Sequence, residues 1–115
     1  MSACIFCQII EGKTPAKKVY EDDDVLAFHD INPIAPVHVL VIPKKHIAKL
    51  ADAKEKDIRV LGKIQTVAGK IAKKLGIGDG FRLLVANGAW AGQTVFHIHY
   101  HLVGGWKKKP TWMEG

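Results

Sequence analysis

Three of the six histidines in this 115-residue chain fall in one short run, His97-Ile98-His99-Tyr100-His101. Near neutral pH an imidazole can act as nucleophile, proton carrier or metal ligand. Spacing of i, i+2, i+4 puts all three rings on one face of a β-strand, because successive side chains alternate sides. On a helix the same spacing would scatter them around the axis. The longer run 95–103 reads as such a strand, with Phe96, Ile98, Tyr100 and Leu102 as an apolar opposite face. A purification tag would be terminal, contiguous and without that matching stripe. The run follows the small-residue loop Gly88-Ala89-Trp90-Ala91-Gly92 and precedes Gly104-Gly105, a setting for chemistry more than for a chance cluster.

The other candidates are Cys4 and Cys7, spaced C-x-x-C near the start. They read as a redox pair, as half of a metal site, or as two buried thiols. A thioredoxin-like pair should follow a strand and open a helix, and no strand precedes this one. Half a metal site needs two more ligands, and histidines are plentiful. His38 lies in an otherwise apolar segment, where an ordinary core histidine is the simplest reading.

The elements that position these residues follow in chain order. Positions 5–11 read as a short amphipathic helix stopped by Gly12, with Phe6, Ile9 and Ile10 inward. After the Thr14-Pro15 bend come a strand at 17–21, an acidic turn Asp22-Asp23-Asp24, and a strand at 25–29, together a hairpin. The loop 30–36 is stiffened by Pro33 and Pro36. Positions 37–43 are the most β-rich stretch and read as a central strand. Asp52 and Glu55 read as an N-cap and N3 pair for a long helix at about 54–75, with Ile58, Leu61, Ile64, Ala68, Ile71 and Leu75 inward and Gly76 as the stop. A fourth strand is expected at 81–86. The sum is an α+β domain, an antiparallel meander against one long helix, with positions 106–115 as a tail.

Composition sets bounds on function. The chain is 48% hydrophobic and 24% charged, as in ordinary globular proteins, and its length suits one domain, 1–115. No membrane-spanning or signal-peptide pattern is present, so a cytoplasmic protein is expected. The net charge of +6 is spread over dispersed lysines without an RNA-binding motif. It favours attraction for small anions such as nucleotides over nucleic-acid binding.

His97-Ile98-His99-Tyr100-His101-Leu102-Val103-Gly104-Gly105 resembles the signature of the histidine triad (HIT) family. The resemblance runs through Ile5-Phe6, the acidic turn, 27–31, 38–46 and 92–96, in an order similar to the Hint branch of nucleotide-binding HIT proteins. It implies a HIT-like sheet, a homodimer joined sheet edge to sheet edge, and hydrolysis of nucleoside 5′-phosphoramidates, nucleotidyl-lysine-like compounds included, with an AMP- or GMP-type purine nucleotide. His99 would be the nucleophile at the α-phosphorus, forming a nucleotidyl-histidine intermediate. His101 and Thr94 would hold a phosphate oxygen, and His38 would orient a triad ring or relay a proton. His101 stands where the nucleotidyltransferase branch usually has Gln, which favours hydrolysis. Asp30 would take the ribose hydroxyls; Phe6, Ile9, Phe28, Ile31 and Leu40 would wall base and sugar. Asn87, Gly92, Gln93 and Val95 would complete the phosphate loop. Relatives that keep the C-x-x-C imply a structural zinc on Cys4, Cys7, His46 and His97, a closed shell suited to stability. The loop between Asn87 and Gln93 is one residue shorter than the usual pattern, so either Asn87 or Ala86 stands at the phosphate-binding position; Trp90 is unusual there, and Thr94 replaces a common Ser. The alternative function is a purine-nucleotide-binding regulatory or scaffold protein with vestigial activity.

Overall fold

Residues 4–109 are described by the computed structural model of the chain. Runs of alternating apolar residues build five strands: β1 (Lys18–Glu21), β2 (Val25–His29), β3 (Val37–Pro43), β4 (Phe81–Val85) and β5 (Tyr100–Gly104), with helices α1 (Ile5–Ile10) and α2 (Ile58–Lys74). Every strand pairing is antiparallel. The sheet, the long helix and the short N-terminal helix are those the sequence predicts. Strand order is β1-β2-β3-β5-β4: the first three form a meander, and β5 then inserts between β3 and β4. This insertion sets the histidine segment beside the most buried strand.

The period-2 pattern supplies the sheet with two cores. Val25, Ala27, Val39, Val41, Tyr100 and Leu102 face α2, whose buried stripe is Val60, Ile64, Val67, Ala68, Ile71 and Ala72. Leu26, Phe28, Leu40 and Ile42 face the other way, against Phe6 and Ile9 of α1. The hairpin is tied to α2 by charge: Asp24 takes both Arg59 nitrogens at 3.0 Å, and Lys63 reaches Asp24 at 2.9 Å and Asp22 at 3.0 Å. Lys63 is thus an anchor between the helix and the hairpin. At the far end of β5, a side chain on Gly104 would come within 2.9 Å of the Gly80 carbonyl, so that close approach requires glycine.

Three local readings are corrected. Ala53 and Lys54 are extended, so the long helix cannot run through 54; two 3-10 turns, Leu50–Asp52 and Glu55–Asp57, precede it. The capping pair read at Asp52 and Glu55 gives way to Asp57, whose carboxylate accepts from the Lys54 N–H at 2.9 Å. Ile58 is 68% exposed, and Leu61 and Leu75 only flank the buried stripe. Third, the histidine strand is shorter than 95–103. Its ladder with β3 ends at Val41↔Tyr100, because Pro43 has no N–H to give and its carbonyl is taken by the His97 ring. Residues 95–99 therefore run irregularly and Phe96 is exposed, while Ile98 still enters the main core. Of the expected tail, residues 106–109 follow β5 and the rest lies outside the described residues. Among the described residues no helix is long and apolar enough to cross a membrane.

Candidate active site and adjacent metal-ligand cluster

Five of the six histidines converge on the α1 side of the sheet, in two groups that share the 97–99 segment. The first group surrounds a cavity of about 1090 Å3. Ile5, Phe6 and Ile9 of α1 form one wall; Phe28, Asp30, Ile31 and Leu40 line the floor and far side; Thr94, Val95, His99 and His101 close the third side. The predicted site residues Asn87, Gly92 and Gln93 do not line it. The cavity also takes in Thr14-Pro15, Ala16, Lys17, His29 and Asn32, which the sequence reading passed over. The proline bend after α1 was the signal available for the first four, since it must carry the chain back across the sheet.

Hydrogen bonds fix which ring nitrogen is bare in each imidazole. His99 is 6% exposed, and its Nδ1 lies 2.8 Å from the His97 carbonyl. A carbonyl only accepts, so Nδ1 carries the proton and Nε2 keeps its lone pair. The Phe6 ring meets His99 edge-on at 5.1 Å. His38 Nδ1 accepts from the Ile34 N–H at 3.2 Å, which puts the proton of the neutral ring on Nε2. That Nε2–H donates to His101 Nδ1 at 2.9 Å, and His101 is left with Nε2–H as a donor. Burial lowers the pKa of His38, with Asp30 opposing. His101 is pushed down to about 4, by burial first and then by His99 and His38, again against Asp30. Burial thus favours the neutral form of both rings.

Asp30 is held at one oxygen by the Asn32 N–H at 2.7 Å, while the other lies 3.5 Å from His38 Nε2. Asp30, His38 and His101 lie close enough together to be considered as a metal site. His38 argues against it: a metal on Nε2 would require a proton on Nδ1, facing the Ile34 N–H that Nδ1 now accepts.

The loop 87–94 is held from within. Gln93, 3% exposed, accepts from the Gly88 N–H at 2.7 Å and donates to the Ala48 and Val95 carbonyls at 2.7 and 3.0 Å. Asn87 is turned away from the cavity: its side-chain oxygen accepts from the Ala51 N–H at 2.7 Å. Gly92 has φ +91°, a left-handed turn that favours glycine. Between them, Trp90 is fully exposed.

The second group is Cys4, Cys7, His46 and His97. Cys4 caps α1, its sulfur accepting from the Cys7 N–H at 3.4 Å. His97 is fully buried; its Nε2–H donates to the Pro43 carbonyl at 2.7 Å, so its bare Nδ1 faces the thiols. Burial is the main reason its pKa is pushed down to about 4, with the Pro43 carbonyl opposing. The two Nδ1 atoms are 3.2 Å apart, and the nitrogen–sulfur separations are 3.3 Å (His46–Cys7), 3.5 Å (His97–Cys4) and 3.6 Å (His97–Cys7). A tetrahedral ion with zinc-like bond lengths needs edges of about 3.3 Å between nitrogens and about 3.6 Å between nitrogen and sulfur. The donor set fits such an ion. The Pro43 carbonyl behind His97 is the partner that a ligating imidazole usually has.

A family profile described as HIT domain matches residues 11–108. An uncharacterised HIT-like protein of Synechocystis is 54% identical over 111 residues, covering 96% of either chain. A HIT family hydrolase from Legionella pneumophila superposes with TM-score 0.90 at 45% identity, over 97% of this chain and 99% of that one. A histidine triad nucleotide-binding protein from Candida albicans superposes with TM-score 0.80 at 37% identity, over 95% and 86%.

Proposed function

The chain belongs to the HIT domain family, and on that premise we propose that it is a nucleotide-binding hydrolase that cleaves the P–N bond of nucleoside 5′-phosphoramidates. The names of its structural neighbours, a hydrolase and a nucleotide-binding protein, support the two halves of that reading. The observation that carries it is the bare Nε2 of His99, held at the cavity by the His97 carbonyl.

In the reaction, His99 Nε2 forms a bond to the α-phosphorus as the P–N bond of the substrate breaks, and the leaving amine takes up a proton from solvent. Water then cleaves the nucleotidyl-histidine, releasing the 5′-nucleotide and restoring the neutral ring. Splitting one displacement into two is what a nucleophilic side chain contributes. His101 Nε2–H and the Thr94 hydroxyl would donate to the phosphate oxygens, where charge has to be held. His38 keeps His101 in the donating tautomer. Asp30 would accept from the ribose hydroxyls, and Phe6, Ile9, Phe28, Ile31 and Leu40 would enclose a purine and its sugar. Gly92, Gln93 and Val95 shape the phosphate loop. In this reading Asn87 supports that loop from outside, through Ala51.

Cys4, Cys7, His46 and His97 would hold a structural zinc, which when bound cross-links the N-terminus to the start of the histidine segment. No open coordination position remains for catalysis. The active form is a cytoplasmic homodimer with its sheets joined at an edge. A binding protein with vestigial turnover is the second reading, favoured by the shortened loop with Asn87 turned outward and Trp90 exposed.

Steady-state hydrolysis of adenosine 5′-phosphoramidate decides between them. Release of ammonia and AMP by the parent, absent in His99→Ala, is the expected result. AMP binding by the parent with no hydrolysis would transfer the protein to the second reading.

A further inference from the structure

The two histidine groups are joined through α1 and through the 97–99 segment, and that joint carries a consequence for the pocket. α1 has only six residues, too few to hold a helix on its own. None of its residues belongs to the main core between the sheet and α2. It rests on the smaller cluster, through Phe6 and Ile9, and its N-terminal end meets the rest of the chain where Cys4 and Cys7 face His46 and His97. The residue between the two cysteines that matters most is Phe6. Its ring lies against His97 at 6.0 Å, His99 at 5.1 Å and Phe28 at 5.5 Å, and it lines the cavity with Ile5 and Ile9. On the other side, the carbonyl of His97 is the group that fixes the His99 ring.

We infer that closing the four-ligand shell sets the α1 wall of the nucleotide pocket and the orientation of His99, so that Cys4, Cys7 and His46 are positioning residues for substrate binding and not only fold stabilisers. The inference rests on the proposed function, in that it takes zinc for the ion and a nucleotide for the occupant. It goes further by making nucleotide affinity depend on metal occupancy. Without the shell, the main core keeps the sheet and α2 together, while α1 is free to open locally, as weakly packed segments do. The pocket then loses Ile5, Phe6 and Ile9 as one wall, and His99 loses the ring edge packed against it.

The test compares zinc-loaded protein with the same protein stripped by a strong chelator, using AMP titration calorimetry, far-UV circular dichroism and amide hydrogen exchange. The stripped protein should keep its sheet and long-helix signal, lose protection over 4–12, and bind AMP at least tenfold more weakly. Adding zinc back should restore affinity in the parent but not in Cys7→Ala. In turnover, metal removal should raise KM by a larger factor than it lowers kcat. An unchanged AMP Kd in stripped, folded protein overturns the inference and leaves the hydrolase reading standing. Global unfolding on stripping, or no zinc bound by the parent, also overturns it. Failure of the zinc-loaded parent to bind AMP at all removes the nucleotide reading and this inference together.

Discussion

A neutral imidazole is nucleophilic only at the nitrogen that carries no proton, and here backbone groups decide which one that is. The His97 carbonyl fixes His99, the Ile34 N–H fixes His38, and His101 follows through His38. His38→Ala should therefore lower kcat by roughly 10²-fold, the scale of a misplaced catalytic imidazole, with a smaller change in KM; steady-state kinetics reads the split. Protonation of His101 also works against the fold. Its folded pKa, about 4, lies below the unfolded value of about 6.5, so its contribution is complete above about pH 6.5 and is lost as pH falls toward 4. Urea titrations at about pH 7 and pH 5 should show that His101→Gln, which cannot titrate, loses less stability than the parent across that interval. The sequence carried the identity of His97, His99 and His101 as a group, because their spacing is a local property. It could not carry their tautomers, which depend on carbonyls and N–H groups brought in by the fold. Asn87 shows the same limit: its type suited a phosphate contact, and only the packing of 47–52 against its loop turns it to Ala51.

At the scale of elements, the loop before the triad is held together by one buried amide. Gln93→Ala would leave the Gly88 N–H and the Ala48 and Val95 carbonyls without their partner. Losing such buried bonds costs about 2 kcal/mol, visible as a lower urea midpoint, and turnover should fall as Thr94 and Val95 lose their setting. A core substitution separates the two effects. Ile64→Ala, fully buried under the sheet, should cost about 3–4 kcal/mol while leaving kcat near that of the parent below its melting temperature. The hairpin, the central strand and the Gly76 stop were legible because each rests on local pattern. The start of α2 and the end of β5 were not. The first turns on the extended break at Ala53-Lys54, the second on Pro43 meeting the His97 ring across the sheet.

For the whole molecule, the sheet leaves β4 as an edge strand, with Phe81 36% and Leu84 38% exposed on it. A sheet edge with apolar side chains is a template for a second strand, in keeping with the proposed homodimer. Light scattering should give twice the 12.7 kDa chain mass, and Leu84→Lys should shift the protein toward the monomer. The net charge of +6 favours the approach of small anions without specifying them. What specifies the reaction is the bond that His99 is proposed to form. The most direct test is a single-turnover reaction with adenosine 5′-phosphoramidate, quenched by rapid denaturation at high pH and read by peptide mass spectrometry. The account predicts one adenylyl group attached to His99 in the parent, formed and lost at rates compatible with turnover, and none in His99→Ala. Hydrolysis by His99→Ala at the parent's rate, or an adenylyl group found on another residue, would contradict it.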